Sequence, residues 1–295
     1  MKSNADTKAQ PNEVRKSVSK AYGELVSSSC CGSRAQKGAV VEFSGYKPDE
    51  LASLPDEAVV NSFGCGNPVA LAGLKPGNVV LDLGSGAGID LLLAVKKVGP
   101  TGRVIGVDMT DEMIAKAREN IRKAGYSNVE VRKGIIEKLP VDNSSVDWVI
   151  SNCVINLSPE KPKVFSEIAR VLKPGGQMLV SDMVAHDLPA ELRTLPALYS
   201  SCIGGAIPEE DYLAGLRAAG LTDVKVRDRL VYDVDQLYAF AISAYEENPS
   251  VLAQLASCAC TRNLKTKLIK PELRKLAKTV EGKIWSAKIY ARKPL

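Results

Sequence analysis

The 295-residue sequence predicts an α/β fold, an open and mainly parallel sheet with helices on both faces. Three observations lead there. From Asn78 onward, short β-branched runs alternate with helical stretches, the pattern of βαβ units. A glycine-rich turn, Gly84-Ser85-Gly86-Ala87-Gly88, sits directly between a strand run and a helix run. The run Val146-Asp147-Trp148-Val149-Ile150 is apolar and β-branched enough for a buried parallel strand.

In chain order, a polar lead is followed by a short helix over Val14–Val26. Residues 27–68 are rich in small residues and read as irregular, with one helix near Asp49–Leu54. The regular part follows with strands at Val79–Leu83, Arg103–Asp108 and Val129–Lys133, separated by helices at Ile89–Val98 and Glu112–Ala124. A fourth strand, Val146–Asn152, precedes a helix over Lys161–Leu172, the break Pro174-Gly175-Gly176 and a fifth strand over Gln177–Met183. Beyond these, Glu209–Ala219 reads as a helix and Thr222–Val231 as an alternating strand. Asp235–Glu246 and the basic stretch Leu264–Thr279 read as helical, and Lys283–Arg292 alternates as a strand. The strands at 222–231 and 283–292 are expected to complete the sheet, with 234–282 as an excursion. This gives three parts, residues 1–69, a core over 70–184, and 185–295.

Apolar content of 45% and charged content of 25% are those of an ordinary globular protein. Met1–Glu13 is polar and lacks a signal-peptide core, and no apolar stretch of about 18 residues exists to span a membrane. A cytoplasmic, reducing location is the expectation, and there seven cysteines serve as ligands, nucleophiles or redox groups rather than staples. The net charge of +5 is uneven: residues 261–295 carry eleven Lys or Arg against two Glu. That tail holds only Trp285 and Tyr290 as aromatics, so a solvated helical face is expected and no nucleic acid partner. The expected oligomeric state is monomer.

Chemistry gathers at the carboxyl ends of parallel strands. There the sequence places Asp82 just before the glycine turn and Asp108 at the end of the next strand, suited to ribose hydroxyls. Asp82 would repel a pyrophosphate, and the spacing is Gly-x-Gly-x-Gly rather than the dinucleotide form Gly-x-Gly-x-x-Gly. An acid there can instead attract the charged amino acid end of S-adenosylmethionine, directly or through water. Together with Leu172-Lys173-Pro174-Gly175-Gly176, these residues resemble the class I S-adenosylmethionine methyltransferases over roughly residues 70–184. The resemblance implies a Rossmann-like class I methyltransferase sheet. It implies a cofactor site of Asp82, Gly84, Ser85, Gly86, Gly88, Asp108, Met109, Ile136, Glu137 and Asn152. Met109 would pack on adenine, and Gly134-Ile135-Ile136-Glu137 would line its edge, with Ile135 where many relatives have Asp.

The sequence holds one histidine, His186, read as a surface residue rather than a base. Its sulfur is abundant: Cys30, Cys31, Cys65, Cys153, Cys202, Cys258 and Cys260. Thiolates select soft acceptors, and trivalent arsenic carries its own lone pair, so it can attack a sulfonium methyl without a base. The segments Ser62-Phe63-Gly64-Cys65-Gly66-Asn67-Pro68, Ile136-Glu137-Lys138-Leu139-Pro140, Ser151-Asn152-Cys153-Val154-Ile155-Asn156-Leu157 and Ser201-Cys202-Ile203-Gly204-Gly205-Ala206 look like arsenite S-adenosylmethionine methyltransferases, over about residues 20–220. That resemblance implies four arsenic-handling cysteines: Cys65, Cys153, Cys202 and an N-terminal one, Cys31 or alternatively Cys30. Cys153 and Cys202 would hold arsenic throughout, while the other two deliver it and form a disulfide during turnover. Residues 1–69 become an N-terminal arsenic-binding segment, and 185–295 a C-terminal extension completing the sheet and substrate site. The implied partners are arsenite, methylated trivalent arsenicals and a thiol reductant, glutathione or thioredoxin. Two alternatives stay open: a soft-metal or metalloid binding protein on the same fold, and a small-molecule C- or O-methyltransferase. Cys258 and Cys260 read equally as arsenic-capturing or inert.

Overall fold

The computed structural model describes residues 10–27, 45–62, 64, 66–188, 203–247 and 269–295. Of the seven cysteines only Cys153 lies among them; Cys30, Cys31, Cys65, Cys202, Cys258 and Cys260 lie outside. The elements in chain order are α1 (Pro11–Ser27), α2 (Pro48–Ala52), α3 (Asp56–Val60), α4 (Pro68–Leu71), β1 (Val79–Leu83), α5 (Ile89–Val98), β2 (Arg103–Asp108), α6 (Asp111–Ala124), β3 (Val129–Lys133) and β4 (Val146–Asn152). They continue with a 3₁₀ turn (Ile155–Leu157), α7 (Lys161–Val171), β5 (Leu172–Ala185), α8 (Glu209–Ala218), β6 (Thr222–Val231), α9 (Val234–Glu247), α10 (Ile269–Val280) and β7 (Ile284–Arg292).

The seven strands form one sheet in the order β3-β2-β1-β4-β5-β7-β6. The five strands β1 to β5 are parallel, and β7 enters antiparallel between β5 and β6. The expected completion of the sheet by the two C-terminal strands is therefore met. Two helices of the excursion, α9 and α10, pack against each other; the chain between them, 248–268, lies outside the described residues.

Alternation along the buried strands divides the core. On β1, Leu81 and Leu83 join a cluster with Val164, Phe165 and Ile168 of α7 and Tyr212 and Leu216 of α8. Val80 joins the opposite cluster, with Leu92 of α5 and Ile114, Ala117 and Ile121 of α6. That is the period of two by which a strand serves both faces. A third cluster covers the carboxyl edge of the sheet: Val18 of α1, Cys153, Leu157, Met183, Tyr232, Leu237, Ala277 and Ile284. The N-terminal helix and the C-terminal excursion thus meet over the end where β1, β2 and β4 stop.

Several boundaries differ from the sequence reading, and three of the differences have a local cause. Helix α1 starts at Pro11, since proline suits the first helical turn, where its missing N–H is unneeded. The stretch read as irregular contains α3 and α4; α4 is started by Asn67, whose side chain accepts from Ala70 N at 3.0 Å. Strand β5 begins at Leu172, because Leu172 already pairs with Val146 before a register shift; Gly175, at φ +77°, takes up the bend.

Candidate active site

Strands β1, β2 and β4 end together, and a cleft of about 950 Å³, open mouth included, lies beyond them. The cleft is lined by Asp82, Gly84, Ser85, Gly86, Asp108, Met109, Ile136, Glu137, Asn152 and Cys153, all singled out by sequence. Gly88 does not line it. At φ +93° it starts α5 instead. The turn needs glycine at Gly84 for two reasons: its φ is +65°, and a Cβ there would overlap the Val154 side chain. The glycine turn after β1 is thereby pressed against the residue following Cys153.

Charge at the cleft is acidic. Asp82 is 2% exposed, and its carboxyl is pushed well above the usual range by burial, then by Asp90 and Asp108. Asp90, in the first turn of α5, is raised to about 6, chiefly by burial; hydrogen bonds from Asn152 and Tyr46 oppose the rise. Asp108 is raised by burial against the N–H groups of Thr110 (2.9 Å) and Gly86 (3.0 Å), which donate to its carboxylate. The Ser85 hydroxyl is buried with no hydrogen-bond partner. Three carboxyls crowded at low dielectric, with an orphaned hydroxyl beside them, suit a ligand that brings positive charge and hydrogen-bonding groups.

The thiol side begins with Cys153. It follows β4 directly, is 4% exposed, and takes φ +62°, a conformation that a non-glycine residue adopts under constraint. Its N–H donates to the Ser181 carbonyl at 2.8 Å, which fixes the turn against β5. The sulfur of Cys153 is in a disulfide. The structure also brings in the chain neighbours of two other predicted cysteines. Asn152 accepts from Gly66 N at 3.1 Å and donates to Gly66 O at 2.5 Å, while a Cβ on Gly64 would overlap its side chain. Both residues flanking Cys65 therefore rest on the residue preceding Cys153. On the other side, Ile203 packs at the edge of the Cys153 cluster, and a Cβ on Gly205 would overlap the Asn156 carbonyl. Ile203 is one peptide unit from Cys202. The predicted residues Cys30, Cys31, Cys65 and Cys202 themselves lie outside the described residues.

Sequence reasoning missed Tyr46, Asp90 and Arg15. Tyr46 donates its hydroxyl hydrogen to Asp90 at 3.0 Å and accepts from Asn152 at 2.9 Å, and Asn152 also donates to Asp90 at 3.1 Å. This ties the acidic wall to the residue beside Cys153. Arg15 of α1 donates to Glu137 at 3.1 Å and pairs with Glu160. A buried-side acid in the apolar helix Ile89–Val98 was a readable signal for Asp90. Nothing local marks Tyr46 or Arg15. His186 is exposed beside Asp187 at 3.2 Å and does not line the cleft.

A methyltransferase-domain family model matches residues 74–244. An arsenite methyltransferase of Halobacterium salinarum is 44% identical over 73% of this chain and 59% of its own length. One from Aquipseudomonas alcaligenes is 36% identical over 77% of this chain and 67% of its own. The chain belongs to the arsenite methyltransferase family. Its fold agrees with a crystal structure of an arsenic(III) S-adenosylmethionine methyltransferase from Chlamydomonas reinhardtii. The TM-score is 0.57 and the identity 30%, covering 87% of this chain and 73% of that one. The match thus spans between about half and two thirds of the first curated arsenite methyltransferases. Among the described residues, no helix is long and apolar enough to cross a membrane.

Proposed function

We propose that this protein transfers methyl groups from S-adenosylmethionine to trivalent arsenic, arsenite and then methylarsenite, held by cysteine thiolates, as a detoxification reaction. The observation that carries the reading is one of proximity. The acid-lined cleft ends at Cys153, and the chain neighbours of Cys65 and Cys202 pack against the same turn. Asp108 receives the ribose, Asp82 faces the methionine end, and Met109 with Ile136 and Glu137 borders adenine. Cys153 and Cys202 hold arsenic, while Cys65 and Cys31, or Cys30 in its place, deliver it.

The chemistry needs no general base. The arsenic lone pair attacks the sulfonium methyl carbon, and the S–CH₃ bond breaks with its electrons retained by sulfur, giving S-adenosylhomocysteine. Arsenic is then two electrons more oxidised, and a pair of thiolates can return those electrons by closing a disulfide. An external thiol, glutathione or thioredoxin, reopens it. The disulfide at Cys153 gives that reductant a second task, since its sulfur must be a free thiolate before it can bind a soft acceptor.

The alternative of a metalloid-binding protein without turnover leaves the acid cluster and the Ser85 hydroxyl without a ligand. A small-molecule C- or O-methyltransferase leaves the thiols without a role. The test is incubation of the protein with arsenite, S-adenosylmethionine and excess thiol, followed by arsenic speciation. Methylated products that require all three components are expected; arsenite binding with no methyl transfer would leave the binding-protein reading.

A further inference from the structure

Arg15 stands between two cavities. The cofactor cleft lies on its inner side. On its outer side is a second hollow of about 850 Å³, open mouth included, that shares Arg15, Ile135 and Glu137 with the cleft and is otherwise lined by Pro11 and by polar and charged side chains. The guanidinium donates to Glu137 at 3.1 Å from Nε, pairs with Glu160 through a second nitrogen, and reaches Asn12 at 3.0 Å through the third. All three nitrogens are engaged, and the side chain is only 14% exposed. Both carboxylates are themselves held in place. Ser158 donates to Glu137 at 2.6 Å, and Lys163 pairs with Glu160 at 2.5 Å. Such a fork between two oriented acids is a fixed partition.

The helix that carries Arg15 forms a roof over the cleft. Val14, Val18 and Tyr22 recur every fourth residue, so they share one face with Arg15. That face packs on Cys153, Leu157 and Met109, and Arg15, Val18 and Tyr22 all line the cleft. The C-terminal half of α1 rests on α6, where Gly23 sits against Glu112. The N-terminal half is fastened through Arg15.

We propose that Arg15 is a positioning residue that gates cofactor exchange: its bonds to Glu137 and Glu160 hold the N-terminal half of α1 as a roof across the side of the cleft that faces the outer hollow, and they break when S-adenosylmethionine enters or leaves. The inference rests on reading the cleft as the S-adenosylmethionine site, but not on the arsenic chemistry. Glu137 borders the adenine edge in that reading, so the same contact also orients the wall that adenine meets.

The experiment is exchange of bound radiolabelled S-adenosylmethionine against excess unlabelled cofactor, with association followed by rapid filtration. In Arg15→Ala, release is expected to quicken about tenfold, the size of losing one charge-assisted pair, with association quickened as well. Arg15→Lys, which keeps the charge but not the fork, should fall between. Glu160→Gln, which spares the Glu137 contact, provides the same comparison should Arg15→Ala fold poorly. Lys20→Ala removes an exposed charge of α1 that pairs with Glu24 at 3.9 Å, and should exchange as the parent does. Rates within twofold of the parent in both Arg15→Ala and Glu160→Gln would overturn the gate. So would faster release with unchanged association, which would make Arg15 a tightening contact alone. Absence of cofactor binding in the parent would instead remove the reading of the cleft on which the inference stands.

Discussion

On the cofactor side of the cleft, the three buried aspartates come from one continuous stretch. Asp82, Asp90 and Asp108 all lie within β1, α5 and β2, and neighbouring strand ends bring them together. On the sulfur side, Cys153 sits on that scaffold, the one cysteine among the described residues. The chain on either side of Cys65 and just after Cys202 is fixed by a few contacts: Gly64 and Gly66 on Asn152, Ile203 on the Cys153 cluster and Gly205 on the Asn156 carbonyl. The first wall is made by the sheet, the second by clamps on the sheet. The cofactor wall should therefore tolerate loss of any one hydrogen bond with a graded effect. The sulfur wall should fail abruptly when a ligand or a clamp is removed.

The largest effects should come from the thiols. Cys153→Ser or Cys202→Ser leaves one thiolate to hold arsenic, and misalignment of the lone pair with the methyl carbon is expected to cost about 100-fold or more on every arsenical. Cys65→Ser should divide the substrates. Arsenite has three exchangeable oxygens and can take a third thiolate, whereas methylarsenite has two, which Cys153 and Cys202 would satisfy in the proposed site. Loss on arsenite with substantial turnover of methylarsenite is expected, and likewise for Cys31→Ser unless Cys30 substitutes. Product speciation from each starting arsenical under excess thiol reads this directly. Equal losses on both would move Cys65 into the permanent site.

Next in size is Asp108→Ala on the other wall. Its carboxylate organises Gly86 and Thr110 as well as facing the cleft. Losing one charge-assisted acceptor is expected to weaken S-adenosylmethionine by about 10- to 150-fold. Calorimetric titration giving the parent affinity would remove Asp108 from the site.

The two walls were unequally legible for a physical reason. The β1 strand, the glycine turn and Asp108 form a local pattern whose spacing is fixed by one βα unit, so sequence found them. Cys153 was visible because a buried strand run ends beside it. Tyr46 was not: its partner Asn152 is 106 residues away, and an isolated tyrosine in a short connecting segment has no period to betray it. Arg15, 122 residues from Glu137, is hidden in the same way on a helix whose other charged residues Glu13, Lys16, Lys20 and Glu24 are exposed. The early start of β5 was obscured by Pro174-Gly175-Gly176, which normally ends an element and here sits inside a bent strand.

Tyr46→Phe tests whether a clamp joins the walls. It deletes the hydroxyl that donates to Asp90 and accepts from Asn152 while keeping the ring packed. A destabilisation of about 1–3 kcal/mol is expected by urea unfolding at pH 7.5, where Asp90 is ionised, because a buried charged acceptor loses its donor. The effect should shrink at pH 5, where the carboxyl is protonated. A loss equal at both pH values would show that the hydroxyl does not answer to the charge on Asp90.

The smallest effect, and the sharpest on the acidic wall, is pH dependence. Asp90 at about 6 and Asp182 at about 7, like Asp82, are raised above the ordinary carboxyl range, mainly by burial. A group whose folded value is raised contributes stability that is present below its unfolded value of about 4 and lost as pH climbs through the folded value. The paired acids Glu160, Glu167 and Glu209 lie below their usual range and are ionised throughout the window above pH 5. Unfolding free energy of the ligand-free protein should therefore fall by about 1–3 kcal/mol between pH 5 and 7.5. Affinity for the cationic cofactor should move the other way. Asp90 faces Glu50, Tyr46 and Asn152 as well as the cleft, and its ionisation adds a negative charge beside the methionine end. A rise in affinity of up to about tenfold over the same window is expected, with proton release on binding near pH 6. Calorimetry in two buffers of different ionisation enthalpy measures both quantities. Stability and affinity changing in the same direction would mean that the buried carboxyls are held by protein contacts alone and that the acidic wall does not serve the cofactor's charge.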